Sequence, residues 1–178
     1  MSNKVKNPSI ARLVITLFLI TAITSALLGT VNYITADRIA EITEQKTADA
    51  MQEVLPSANY TPLSYRGNDE RVNSVYQSEN GYVVSVSVSG SQGMIDMLVG
   101  VDNAKAVTGV AIIDMSETAG LGAKASEEGF RSQFAGASGS VAVTKDGGEI
   151  DALTGATITS RAVCSGVNAA LDSVNWID

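Results

Sequence analysis

The pattern of hydrophobic and polar positions divides this chain into a long apolar segment and a mixed remainder. No residue from Leu13 to Ala36 is charged. As a helix, Leu13 to Ile34 alone would span roughly 33 Å at about 1.5 Å per residue, which exceeds a bilayer core of about 30 Å. Residues 13–36 are therefore predicted to form a single transmembrane helix. A cleaved signal peptide is the main alternative, but its apolar region is usually only about 7 to 15 residues long.

A helical stripe of apolar residues continues beyond the apolar segment. It consists of Ile39, Ile42, Met51, Val54 and Leu55, with charged residues between them. This spacing predicts a membrane-proximal helical stalk over residues 37–56, which Pro56 would end. We expect the stripe to pack against the chain's own domain rather than to bind a partner.

After residue 56 the apolar residues recur at every second position, as in half-buried strands. In Tyr82–Val88 serines alternate with valines, and three further segments are short, apolar and bounded by turn residues. The predicted strands are Arg71–Gln77, Tyr82–Val88, Met94–Val101, Val107–Met115 and Ser140–Thr144. A helix is predicted at Lys124–Phe134, and a closing helix carries Val163, Val167, Leu171 and Val174. Residues 57–178 should therefore form an α+β domain with an antiparallel sheet and flanking helices.

The composition excludes several kinds of site. The chain of 178 residues contains no histidine and one cysteine. Histidine-ligated haem, histidine zinc sites, Ser-His and Cys-His pairs and iron–sulfur clusters are therefore ruled out. Cys164 is expected to be a small core residue. No metal site and no catalytic residue are predicted, so redox chemistry would require an organic cofactor.

Charge predicts the orientation of the membrane helix. Lys4, Lys6 and Arg12 precede the apolar segment, whereas all 19 acidic residues follow it. The positive-inside rule then places residues 1–12 in the cytoplasm and the domain on the outer face of the cell membrane. The acidic remainder argues against binding to nucleic acid or to anionic lipid.

The segment Asp151-Ala-Leu-Thr-Gly-Ala-Thr157 precedes the closing helix. Gly155 permits backbone angles that other residues avoid, Ala156 leaves the turn uncrowded, and Thr154 and Thr157 bring hydroxyl groups to the helix start. Free amides at a helix N-terminus attract anions. These residues are typical of a phosphate site, although an ordinary capped helix after a tight turn has the same pattern.

A second segment, Ser116-Glu-Thr-Ala-Gly-Leu-Gly-Ala-Lys124, lies between the fourth predicted strand and the next helix. Gly120 and Gly122 allow backbone amides to approach a flat ligand, and Leu121 can cover a ring face. Glu117 and Thr118 offer polar contacts. Glycine-containing loops of this kind also occur without any ligand.

Both segments resemble motifs of a family of flavoproteins. Residues 151–157 have the form Asp-x-x-Ser/Thr-Gly-Ala-Thr, the motif on which a flavin transferase attaches FMN, taken from FAD, through its phosphate. The resemblance implies that Thr157 carries the covalent FMN, with Thr159 as the rival hydroxyl. It also implies that Glu117, Thr118, Gly120, Leu121 and Gly122 help to form the flavin pocket, although Ala119 replaces the usual proline.

Over essentially its full length, the chain resembles the G subunits of Rnf ion-translocating electron-transport complexes. The related C subunits of sodium-translocating NADH:quinone reductases have the same anchor and flavin motif but are generally longer. The resemblance implies an electron relay within a membrane complex that couples electron transfer between ferredoxin and NAD to translocation of sodium ions or protons. The nicotinamide and ferredoxin sites would then lie on other subunits.

Two other classes of function stay open at this stage. The chain could be a membrane-anchored structural or sensory module whose Thr-Gly-Ala-Thr turn only caps a helix. It could also be a free-standing FMN-binding reductase, but no acid–base pair in the sequence supports a substrate site.

Overall fold

The apolar segment and the stalk form one helix in the structure, a computed structural model that describes residues 10–177. Helix α1 is Ile10–Val54, and its apolar side chains before residue 36 are exposed, Leu28 by 71%. Among the described helices, α1 alone is long and apolar enough to cross a membrane. The helix ends two residues before Pro56, because a residue that precedes proline disfavours the helical conformation.

Threonines within the apolar segment satisfy their own hydroxyl groups. Thr16 donates to the carbonyl of Arg12 at 2.8 Å and Thr30 donates to that of Ala26 at 2.8 Å. Thr21, Thr24 and Thr35 make the same kind of backbone hydrogen bond. These hydroxyls therefore need no water, as a helix surrounded by hydrocarbon requires.

The chain divides into two compact units, one ending at Glu44 and one beginning at Gln45. The second unit contains a five-stranded antiparallel sheet in the order β1-β2-β3-β4-β5. Its strands are β1 (Thr61–Leu63), β2 (Val72–Ser78), β3 (Gly81–Ser89), β4 (Met94–Asp102) and β5 (Val107–Met115). The predicted antiparallel meander is confirmed, and β5 has the predicted bounds. Strand β1 was not predicted, because its three residues include Pro62 and are too few to show alternation.

One face of the sheet packs on helix α3 (Thr157–Asn175). Val84, Val86 and Val88 of β3 join Val163 and Val167 of α3 in the main hydrophobic core. Gly166 lets the helix approach closely, since a side chain there would meet Met97 and the two valines at 86 and 88. Cys164 is buried in this core, and burial raises the pKa of its thiol to about 11. The thiol is therefore protonated at neutral pH and acts as a small core residue, as predicted.

The opposite face of the sheet packs against the last turns of α1. Ala50, Met51, Val54 and Leu55 form a second hydrophobic cluster with Val83, Leu98 and Ala111. The predicted packing of the stalk's apolar stripe on its own domain therefore holds for its C-terminal part.

The closest approach in this packing is at two glycines paired across β4 and β5, Gly100 and Gly109. A Cβ atom at Gly100 would collide with the backbone of Val54. The Thr108 hydroxyl donates to the Val54 carbonyl, and Arg131 Nη1 donates to Glu53 Oε1 at 2.6 Å. The end of α1 is thus fixed to the sheet by both packing and hydrogen bonds.

The segment after β5 is less regular than predicted. Lys124–Phe134 is not one helix: it contains a 3₁₀ turn (Gly122–Ser126), the short helix α2 (Glu128–Arg131) and a second 3₁₀ turn (Ser132–Phe134). The break falls at Glu127, whose backbone is extended with φ −72° and ψ 144°. After the bend, Phe130 and Phe134 contact each other edge to face, with ring centroids 5.4 Å apart.

The predicted strand at Ser140–Thr144 is wrong. Only Val143 makes a bridge, to Ile150, and Thr144–Asp146 is a 3₁₀ turn followed by Gly147 with φ +86°. The Asn168 side chain hydrogen-bonds both the N–H and the carbonyl of Val141. A side chain therefore satisfies the backbone groups that a neighbouring strand would have paired.

Gly100→Ala is expected to destabilise the domain by about 1–3 kcal/mol, because overpacking at a close backbone contact forces the end of α1 away from the sheet. Urea unfolding of the full-length chain in detergent would measure the loss. Gly129→Ala is the matched control, since a Cβ atom there meets nothing within 4 Å. Equal stability of the two variants would contradict the proposed importance of this contact.

Candidate functional site

Helix α3 begins without a side-chain cap. Its N-cap residue is Ala156, with φ −134° and ψ 44°, and no acidic residue lies in its first turn. Gly155 has φ +78°, a conformation that strongly favours glycine. The first amides of the helix are therefore not neutralised by a capping side chain, and their partial positive charge favours an anion. The ordinary capped helix considered above is not what the structure contains.

The hydroxyl groups near this helix start differ in accessibility. Thr154 is exposed and Thr157 is half-buried, whereas Thr159 and Ser160 are fully buried. Ser160 Oγ accepts from the Leu153 N–H and donates to the Ala156 carbonyl, both at 3.0 Å. Thr159 Oγ1 donates to Glu117 Oε2 at 2.8 Å. Of the two hydroxyls in competition for a modification, Thr157 is accessible and Thr159 is not.

A cation lies beside Thr157. Lys145 Nζ donates to Thr157 Oγ1 at 3.4 Å. The neighbouring Asp146 accepts two hydrogen bonds from Arg161 at 2.7 Å, and these bonds lower the pKa of the Asp146 carboxyl. The turn that contains Lys145 and Asp146 is thus attached to the first turns of α3.

Glu117 connects three segments of the chain. Its Oε1 atom accepts from the N–H groups of Ser91 at 2.7 Å and Gln92 at 3.1 Å, in the turn between β3 and β4. Its Oε2 atom accepts from Thr159 in α3. Both carboxylate oxygens are therefore occupied by the protein, so Glu117 positions the loop that follows it. As a direct contact to a ligand, Glu117 stays a prediction.

These contacts also determine the ionisation of Glu117. Burial alone would raise its pKa, but the hydrogen bonds from Gln92, Thr159 and Ser91 outweigh it and lower the pKa below the ordinary value. The carboxylate is therefore charged at neutral pH, and its charge strengthens the three hydrogen bonds that it accepts.

The loop after Glu117 lies against the start of α3. The Thr118 carbonyl accepts from the N–H groups of Leu121 at 3.2 Å and Ala123 at 3.1 Å, and Gly120 has φ +75°. Leu121 Cδ2 lies 3.1 Å from the position that a Cβ atom of Gly155 would occupy. Gly122 is buried, and a Cβ atom there would lie 2.9 Å from Thr159 Oγ1. The two glycine-containing segments singled out in the sequence therefore form one site.

Other predicted site residues contribute less to this arrangement. The side chains of Asp151, Thr154 and Thr118 are exposed. The backbone of Asp151 is held by Gln133, whose Oε1 atom accepts from its N–H at 2.7 Å. Ala156 is buried beneath the turn.

Sequence reasoning missed two side chains at this site, Lys145 and Ile158. Ile158 is 60% exposed next to Thr157, and Leu121 is 44% exposed. An apolar residue at the start of an otherwise amphipathic helix is a usable signal for Ile158. No spacing rule indicates Lys145, because a separate turn of the chain brings it to the helix.

Comparisons with known proteins show the family and the fold of this chain. A family model described as the FMN-binding domain matches residues 90–172, and one described as the RnfG N-terminal region matches residues 1–54. A solved structure of the C subunit of the Na⁺-translocating NADH-quinone reductase from Parabacteroides distasonis has the same fold, with a TM-score of 0.52 and 21% identity. That match covers 72% of this chain and 80% of the solved one.

Two relatives match along nearly the whole chain. The G subunit of the ion-translocating oxidoreductase complex of Methanosarcina acetivorans is 33% identical over 183 residues, covering 93% of this chain and 95% of the relative. The G subunit of the Na⁺-translocating ferredoxin:NAD⁺ oxidoreductase complex of Acetobacterium woodii is 36% identical, covering 87% of this chain and 86% of the relative.

Fold and site together define a protein with an FMN-binding domain behind an apolar N-terminal helix. The full-length matches define the family more narrowly. The chain belongs to the family of G subunits of ion-translocating oxidoreductase complexes.

Glu117→Gln is expected to lower stability at pH 7 by about 1–3 kcal/mol, because hydrogen bonds to a charged acceptor are lost or weakened. Since the folded-state pKa of Glu117 is lowered, its contribution is present above the ordinary pKa and disappears as pH falls through the folded-state value. The variant should therefore lose less stability on acidification than the wild type.

Urea unfolding between about pH 3 and pH 7 would measure this difference. Glu127→Gln, at an exposed position outside the network, is the control and should follow the wild-type curve. Parallel curves for the wild type and Glu117→Gln would show that the network does not depend on the Glu117 charge.

Proposed function

We propose that this chain is the electron-carrying subunit of a membrane complex that couples electron transfer between ferredoxin and NAD to translocation of sodium ions or protons. The cofactor is FMN, attached through its phosphate to the hydroxyl of Thr157. Bound there, FMN supplies reversible uptake and release of electrons. The chain itself contributes attachment, orientation and exclusion of solvent.

The observation that carries this proposal is the difference between the two rival hydroxyls. Thr159 is 0% exposed and donates to Glu117, so a transferase cannot reach it without breaking the network. Thr157 is half-buried and lies beside Lys145. Of the two hydroxyls, only that of Thr157 can receive a phosphoryl group while the fold is kept.

The residues around Thr157 fit each part of FMN. The uncapped start of α3 suits the negative charge of a phosphodiester. Leu121, which lies against the Gly155 turn, and Ile158, the residue after Thr157, are exposed apolar side chains, and they suit the flat apolar ring system. Glu117 holds the loop that carries Leu121, while Thr118, Gly120 and Gly122 shape its backbone.

The proposed role of the chain within that complex is that of an electron relay. The ferredoxin and NAD named in the relative from Acetobacterium woodii would then react at other subunits, with this chain passing electrons between carriers. A flavin transferase acting on residues 151–157 would install the cofactor.

We further propose that residues 13–36 cross the cell membrane once. Residues 1–12 then lie in the cytoplasm, residues 37–56 connect the membrane to the domain, and residues 57–178 carry FMN on the outer face. The exposed apolar surface of α1 before residue 36 supports a helix in lipid. The charge asymmetry of the sequence supports this orientation.

Thr157→Ala is expected to abolish covalent flavin, because it removes the attachment oxygen. The measurement is in-gel flavin fluorescence of fully denatured protein co-produced with a flavin transferase. Thr159→Val is the control: it removes the rival hydroxyl, and with it one of the three hydrogen bonds to Glu117, but it keeps the attachment oxygen of Thr157, so the band should stay fluorescent. A fluorescent Thr157→Ala band would refute the attachment site, and a dark wild-type band would refute covalent flavinylation.

The orientation can be tested with a single cysteine in the exposed loop at Ser138. In a Cys164→Ser background, Ser138→Cys is expected to react with a membrane-impermeant maleimide in right-side-out vesicles and to be protected in inverted ones. Detergent-solubilised protein, labelled from either preparation, is the control. The reverse pattern would place the domain in the cytoplasm.

A further inference from the structure

Lys145 has no role in the motifs that assign the flavin, yet its ammonium group is next to the proposed attachment atom. Its Nζ atom lies 3.4 Å from Thr157 Oγ1, near the long limit of a hydrogen bond. A phosphoryl group on Oγ1 would place its other oxygens two bonds beyond Oγ1, within reach of the ammonium group. We propose that Lys145 is the counter-ion of the phosphodiester and positions it at the start of α3. This inference rests on the proposed attachment of FMN to Thr157.

The backbone around Lys145 is held in place by hydrogen bonds on both sides. The Thr144 N–H donates to the Ile150 carbonyl at 2.8 Å, and the Asp146 N–H donates to the Val143 carbonyl at 2.8 Å. Gly147 closes the turn with φ +86°. The ammonium group is thus presented by a short, closed turn rather than by an open loop.

The same turn is attached to α3 at a second point, one helical turn further on. Asp146 binds Arg161 through two hydrogen bonds of 2.7 Å. Residues 157 and 161 lie on one face of the helix, because side chains four positions apart are neighbours. Two consecutive residues of the turn, Lys145 and Asp146, therefore contact successive turns of one helix face. These contacts hold the backbone at Lys145 next to Thr157.

The distribution of charge assigns different roles to the two cations. The guanidinium of Arg161 is directed at the Asp146 carboxylate and is largely neutralised there. Lys145 also interacts electrostatically with Asp146, but its hydrogen bond is made to the neutral hydroxyl of Thr157, at a helix start without a capping side chain. Modification of that hydroxyl would replace a long hydrogen bond from the ammonium group to an uncharged oxygen by an ion pair between the ammonium group and the phosphodiester.

The test compares Lys145→Met and Lys145→Arg with the wild type as full-length chains in detergent, with and without covalent flavin. Arg66→Met is the control, because it removes one positive charge from an exposed position outside the site. The readouts are the fraction of chains carrying flavin and the rise in Tm that flavinylation produces. Neither depends on electron-transfer activity.

In Lys145→Met the flavin-induced rise in Tm should be about 1–5 °C smaller than in the wild type, as expected for an exposed ion pair in a domain of this size. The difference should disappear at about 1 M salt, where the screening length falls to about 3 Å. Lys145→Arg and Arg66→Met should behave as the wild type. Failure of Lys145→Met to acquire flavin, with normal loading of Lys145→Arg, would also support the role.

Equal Tm rises in Lys145→Met and the wild type at low salt would overturn the inference while leaving the attachment intact. Failure of Lys145→Arg to load, or a difference that salt does not reduce, would show that charge is not what the residue supplies. A wild-type chain without covalent flavin would instead refute the proposed function, and the role of Lys145 with it.

Discussion

The candidate site depends on the carboxylate of Glu117. It accepts two backbone amides from the turn between β3 and β4 and the hydroxyl of Thr159 from α3, so one side chain joins a hairpin, a loop and a helix. Gly90 and Gly122 leave room for it, because a Cβ atom at either position would collide with its oxygens in their present place. The loop can approach the helix only because these charge-assisted hydrogen bonds compensate the partial burial of the carboxylate.

This hydrogen-bond network gives different environments to two threonines that the sequence offers as alternative attachment sites. Thr157 and Thr159 are two positions apart, and on a helix such residues point in different directions. Thr159 is directed inward, where Glu117 uses its hydroxyl, while Thr157 stays at the surface near Lys145. The network that stabilises the loop therefore also selects the hydroxyl that remains available for modification.

The sheet has a second structural role, because its two faces support different parts of the protein. One face supports α3, whose first turn forms the candidate site, and the other holds the last turns of α1. Gly100 and Gly109 allow that end of α1 to contact the sheet backbone. The last turns of α1, from Ala50 onward, are thus part of the domain's core.

The sequence by itself determined the parts of this protein that depend on local pattern. Alternation in Tyr82–Val88 and the apolar stripe of α3 predicted a strand and a helix, because a buried face imposes a period of two or of 3.6 residues. The motif at residues 151–157 predicted the candidate attachment site, since its glycine and hydroxyls are adjacent in the chain. Tertiary structure decided the rest: Lys124–Phe134 bends at Glu127, Ser140–Thr144 is not a strand, and Lys145 reaches Thr157. These features arise from contacts between residues distant in sequence, which no local period records.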